Sequence, residues 1–171
     1  LELAKTVAEP VTGSLPVIFT PHGVAGTLLG PLLAGFNGRN VVQVSSPLVG
    51  RLGERIVDQR ISIWDDPTVP YVPGSRTTDD EGVPSQRHAL IEHGMASSFL
   101  YDLQTACQAG ATSTGNGSRS LGSLPAPSSS VLVIDEGDVP YADMISDVKD
   151  GIIVERLLGA GQGNVLAGDF N

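Results

Sequence analysis

Between Thr78 and Asp102 the chain reads TDDEGVPSQRHALIEHGMASSFLYD, and this stretch restricts the fold more than any other. Three acidic residues run into a glycine. A short apolar segment, HALI, is then turned by Glu92-His93-Gly94 into a second, MASSFLY. His and Gly both tolerate positive φ better than most residues, so the pair suits a tight antiparallel turn. A Gly/Asn-rich stretch, STGNGSRS, follows from Ser113 to Ser120. With 21 glycines, 12 prolines and few aromatics, the chain favours short strands joined by many turns.

The same reading extends to both sides. LPVIFT, Leu15 to Thr20, is a short β-branched run and predicts a buried strand. Thr20 can cap a following helix with Pro21 at its first position. The small-residue segment His22 to Phe36 continues that helix, which Pro31 should kink or split because its ring meets the carbonyl four residues back. Further strands are expected at Asn40 to Ser45, at Ile61 to Trp64 and at Val131 to Ile134, with a long loop from Gly110 to Ser130. Asp138 is expected to cap a helix carrying Met144, Ile145 and Val148 and stopped by Gly151, after which IIVERLL returns as a strand. Strands outnumber helices, which predicts an α+β chain with mostly antiparallel pairing.

At 171 residues the chain suffices for one domain with a sizeable core. A net charge of −9 and a pI near 4.5 argue against direct contact with nucleic acid, which needs a basic patch. The one loose basic grouping, Arg51, Arg55 and Arg60, is interleaved with Glu54 and Asp58. A single cysteine, Cys107, allows no internal disulfide and fits a reducing, cytoplasmic compartment. No apolar run reaches the ~20 residues that span a bilayer, so no membrane partner is expected.

Several patterns occur in a fixed order: SSPLVGRLGERI from Ser45 to Ile56, IWDDP from Ile63 to Pro67, then DDEG, LIEHG, TGN, a helix ending in KDG, and GAGQGN near Asn164. Together they resemble the TldD/PmbA family, whose members are known as modulators of DNA gyrase and as peptidases that mature or degrade small peptides. The resemblance implies a curved, mostly antiparallel β-sheet or barrel-like domain with a few packed helices. It also implies that residues 1–14 are the end of a linker and 15–171 an incomplete C-terminal domain.

In the catalytic branch of that family the helix after the first strand carries HExxxH, two histidines that hold zinc and a glutamate that activates its water. Matching LLGPLLAG to that helix places Gly30, Pro31 and Gly35 where His, Glu and His would stand. A further family ligand, a cysteine, falls beyond the last residue here. The segment therefore resembles the PmbA (TldE) branch, which lacks the zinc motif. The resemblance implies no cofactor in this chain and zinc in a catalytic partner. Its implied partners are a TldD-like subunit or a second copy of the chain, with an unfolded peptide as substrate.

The acidic cluster is the leading candidate site. Asp79, Asp80 and Glu81, with Asp65 and Asp66 upstream, could ligate Ca²⁺ or Mg²⁺ through hard oxygens, or bind the amine or basic side chains of a peptide. The plain alternative is a turn in which the aspartates bond local backbone and Gly82 takes positive φ. In STGNGSRS, Gly115 and Gly117 could let backbone amides approach a peptide, with Asn116 and Arg119 adding polar contacts; a simple connection is the rival. The loop lacks the lysine of a phosphate-binding P-loop, and GAGQGN is too irregular for a dinucleotide fingerprint. His22 is expected in the first turn of its helix, His88 on a strand, His93 in a turn and Cys107 as a half-buried small residue. Two other functions stay open: a free-standing metal-dependent hydrolase using DDEG with His22 or His93, and a homodimeric binding module without enzymatic activity.

Overall fold

The computed structural model describes residues 12–157 and residue 164. Its centre is a four-stranded antiparallel sheet in the order β4-β3-β2-β7, formed by β2 (Ile63–Asp65), β3 (His88–Glu92), β4 (Met95–Ala96) and β7 (Leu132–Ile134). β3 and β4 are the expected hairpin. His93 and Gly94 have φ of 48° and 79°, the double positive φ of a type I′ turn. Gly94 is also obligatory for space, because a Cβ there would lie 2.6 Å from the Val57 carbonyl oxygen. The register between β2 and β3 shifts at Ile63/Trp64, a bulge that bends the strand. The sheet is open: among the described residues nothing closes it into a barrel.

At the N-terminal side, β1 (Val17–Phe19) leads through Thr20 into α1 (Pro21–Gly23), and the Gly23 amide donates to Thr20 Oγ1 at 3.1 Å as the sequence predicts. The expected disturbance at Pro31 is taken up one turn earlier. Val24–Leu28 is π-helical, and the Leu29 amide reaches back five residues to the Val24 carbonyl. This widened turn lies shortly before Pro31, and α2 (Leu29–Phe36) continues from it without a break.

Asn40 to Ser45 is not the predicted strand. It falls on α3 (Gly38–Val42) and the turn after it. The Asn37 side chain caps this helix by accepting from the Arg39 amide at 2.9 Å. Gly38 lies so close to the Leu100 carbonyl and the Tyr101 ring that a Cβ would approach within 2.5 Å and 2.4 Å. This seat against Leu100–Tyr101 outweighs the strand preference of Val41 and Val42.

The predicted loop from Gly110 to Ser130 contains a small antiparallel pair, β5 (Gly117–Ser118) with β6 (Ala126–Pro127). Before it comes a helix not expected from the sequence, α4 (Leu103–Ala109), which Asp102 caps and Gly110 ends in the left-handed conformation. Farther on, α5 (Tyr141–Asp147) starts after Pro140, and Asp138 does not cap it. The last element is β8 (Ile152–Val154), which pairs in parallel with β1. The GAGQGN segment lies outside the described residues except for Asn164.

One hydrophobic core joins α2, the central sheet and α4. Phe36 of α2, Leu48, Ile63, Leu90, Ile91, Ala96, Phe99, Leu100 and Ala106 of α4 are all buried together. Leu32 and Leu33 pack on its margin, and Phe99 meets Tyr101 edge-on at 6.2 Å. The core fixes the end of β2 and the segment after β4, and the candidate site is built on those two.

Candidate functional site

The acidic turn and the Gly/Asn-rich loop, more than thirty residues apart in sequence, are in contact. Gly117 donates its amide to Asp79 Oδ2 at 2.8 Å, and Asp80 donates its own to the Gly117 carbonyl at 3.1 Å. Arg119 donates its backbone amide to Asp80 Oδ2 at 2.8 Å, while its side chain is exposed. Asp79 is buried and its other oxygen accepts from the Glu81 and Val83 amides, both at 2.9 Å. Gly82 takes a φ of +80° and closes this turn through its amide to the Asp79 carbonyl. Glu81 turns toward α4, where its Oε2 accepts from the Leu103 amide at 2.8 Å. The carboxylates thus face the chain's own amides: Asp79 Oδ1 makes the local bonds that the plain alternative describes, while Asp79 Oδ2, Asp80 and Glu81 accept from Gly117, Arg119 and Leu103, which are distant in sequence.

Beneath the two loops lies a buried polar knot. Asp65, at the end of β2, has no exposed surface. Its Oδ1 accepts from the Ser130 amide at 2.7 Å and its Oδ2 from Asn116 Nδ2 at 2.6 Å. Asn116 Nδ2 also reaches the Ser128 carbonyl at 3.0 Å, whereas its Oδ1 is buried with no hydrogen-bond partner. Gly115 has a φ of +71°, and a Cβ on it would sit 2.7 Å from the Pro84 carbonyl oxygen. Its carbonyl accepts from Arg76 Nη2 at 3.3 Å. Arg76 and this knot are absent from the sequence reading; the only visible signal was the double aspartate at the end of a predicted strand.

The other candidates lie apart. Asp66 accepts from the Thr68 amide and hydroxyl and stands 3.7 Å from Arg87, which itself lies over the Trp64 ring. His88 Nε2 is 2.8 Å from the Thr114 carbonyl oxygen, and His93 is in its turn. Cys107 is exposed on α4 and not half-buried, because the inner face of that helix is taken by Thr105 and Ala106. His22 lines a groove of about 780 Å³ with Ala25, Gly26, Glu155 and Arg156. Among the described residues no three His, Cys, Asp or Glu side chains stand close enough to share a metal ion. On α2 and its start, Gly30, Pro31 and Gly35 offer no donor atom; Gly30 faces open space and Gly35 packs toward Leu48. These three positions supply no zinc ligand.

Two of the three arginines of the basic grouping are paired locally, while Arg55 donates to the His93 carbonyl. Arg51 pairs with Glu54 at 2.8 Å and Arg60 with Asp58 at 2.9 Å. The hydrogen bonds from Arg60 hold the Asp58 carboxyl at about 2, below its ordinary 3.8. Among the described residues no helix is long and apolar enough to cross a membrane.

Residues 12–171 match the family described as the PmbA/TldA metallopeptidase C-terminal domain. The metalloprotease TldD homolog of Haemophilus influenzae is 36% identical over 168 residues, which cover 97% of this chain and 34% of that protein. The crystal structure of TldE from Thermococcus kodakarensis superposes with a TM-score of 0.75 at 35% identity, covering 85% of this chain and 33% of that one. A Thermotoga maritima protein described as a modulator of a DNA gyrase superposes with a TM-score of 0.75 at 29% identity, over 95% of this chain and 37% of its own. The chain therefore spans about a third of the length of these relatives.

Proposed function

Because the chain belongs to the PmbA/TldD metallopeptidase family through its C-terminal domain, we propose that it is a TldE-like subunit that holds an unfolded peptide while a zinc-bearing partner hydrolyses it. The observation that carries this reading is the helix from Pro21 to Phe36. It is continuous and, on the family resemblance, corresponds to the helix that carries HExxxH in the catalytic branch, yet Gly30, Pro31 and Gly35 supply neither ligand nor base. β7 supports the peptide half of the proposal. It is an edge strand that pairs with β2 on one side and with no further strand among the described residues, so it presents main-chain groups to an extended chain. β4, the other edge, is occupied by Gly53 and Glu54, which bond to Ala96 on both of its polar groups.

The test is co-expression of the full-length protein with a relative that carries HExxxH. The expected result is a co-eluting complex that cleaves unfolded peptide, with zinc in the partner and only traces in the chain purified alone. A full equivalent of zinc retained by the isolated chain after dialysis, or peptide cleavage without the partner, would instead favour the free-standing hydrolase. Stable self-association with no capture of the relative would favour the homodimeric module.

A further inference from the structure

A second pocket, of about 470 Å³, lies beside the acidic turn between the Pro67–Pro70 segment and the paired stretches around Thr77 and Ser85. Pro67, Val69 and Pro70 give it an apolar wall, while Thr68, Arg76 and Ser85 bring polar groups to it. The Ser85 amide donates to the Thr77 carbonyl at 3.0 Å, and Thr78 bridges Pro84, which sets Ser85 alongside the stretch that carries Arg76. Two polar atoms here are buried without a hydrogen-bond partner, Arg76 Nε and Ser85 Oγ. Arg76 makes one side-chain hydrogen bond, to the Gly115 carbonyl, and no carboxylate lies within ion-pair distance of it among the described residues. In a chain of net charge −9, a half-buried guanidinium without a counter-ion is an exception. Orphaned donors of this kind cost stability unless a ligand or water meets them. A guanidinium Nε and a hydroxyl in an apolar pocket match the two oxygens of a carboxylate.

Position adds a direction. A Cβ on Gly74 would lie 2.8 Å from the Ser130 carbonyl oxygen and 3.2 Å from the Val131 side chain, so the loop carrying Arg76 passes the start of β7. A peptide added antiparallel to β7 would bring its C-terminal end to that point. We propose that this pocket binds a carboxylate of an extended peptide, with Arg76 and Ser85 as donors. The choice of a peptide as its source rests on the peptide-holding reading above; the carboxylate chemistry stands on the pocket alone.

Titration of the full-length protein with Ac-Ala-Ala-Val-OH, its C-terminal amide, Ac-Asp-NHMe and propionate, followed by calorimetry, tests the pocket and its source together. The free acid should bind at least about tenfold more tightly than the amide, as expected for charge-assisted hydrogen bonds. Tighter binding of Ac-Asp-NHMe than of the tripeptide acid would identify an acidic side chain as the source instead of a terminus. Ser85→Ala should weaken acid binding while leaving the melting temperature unchanged, since that hydroxyl has no protein partner. Arg76→Lys should weaken it too, because an ammonium lacks the planar fork. Equal affinity for acid and amide, or no binding of any carboxylate, would overturn the proposal and assign the orphaned atoms to an ordered water. Binding of propionate with rejection of both peptide acids would uphold the carboxylate site and count against the peptide-holding function.

Discussion

With no exposed surface and both carboxylate oxygens engaged by Asn116 and Ser130, Asp65 ties the Gly/Asn-rich loop to the end of β2. Asp65→Ala would leave the half-buried Ser130 amide without an acceptor and deprive the buried Asn116 Nδ2 of one of its two, at a cost of about 3 kcal/mol in urea unfolding. Asp80→Ala, which removes one bond from an exposed carboxylate to the Arg119 amide, should cost less than about 1 kcal/mol in the same measurement. Equal losses would mean that the buried knot is no more important than the surface turn. At this scale the sequence showed which residues were acidic and little of what they bind. Asp79 bonding to Glu81 and Val83 is local and could be foreseen from DDEG. The bonds from Asp65 cross to residues 116 and 130, and no spacing rule anticipates them.

Among the elements, the β3–β4 hairpin was the most legible, because a His-Gly pair between two apolar runs has one good backbone solution. Gly94 there has both positive φ and the Val57 and Asp58 carbonyl oxygens within 2.6 Å and 2.8 Å of an added Cβ. Gly50 has a similar φ of +75° but open space around it. Gly94→Ala should therefore destabilise the protein by more than about 2 kcal/mol, and Gly50→Ala by about 1 kcal/mol. Thermal melts of the two variants check the order; the reverse order would show that φ alone and not the close approach decides. α3 was misread for the opposite reason. Val41 and Val42 prefer strands, and the Asn37 cap together with the contact of Gly38 with Leu100 and Tyr101 makes the segment helical. α4 was readable in principle from an Asp102 cap and a Gly110 stop.

For the molecule as a whole, burial is uneven. Leu90 and Ile91 on β3 have no exposed surface, whereas α5 buries none of its residues and Ile152 and Ile153 on β8 are 42% and 52% exposed. Amide exchange should accordingly be slowest on β2 and β3 and faster by orders of magnitude on β1, β8 and α5. Equal protection of Ile91 and Ile153 would mean that the outer pair is held by contacts outside the described residues. Antiparallel pairing at the β3–β4 hairpin could be foreseen, since its strands are sequence neighbours; the pairing of β2 with β7 and the parallel partnership of β1 with β8 could not.

That partnership also has a consequence in time. Val17 meets Ile152 only after the intervening chain has been drawn into one long loop, and each such closure carries an entropic cost that grows with length. The β3–β4 hairpin closes between sequence neighbours, and the pairings of β2 with β3 and with β7 also span less chain than this one. Folding accordingly runs from the middle of the chain outward, with the β1–β8 seam joining last, on a surface that the earlier steps have already made.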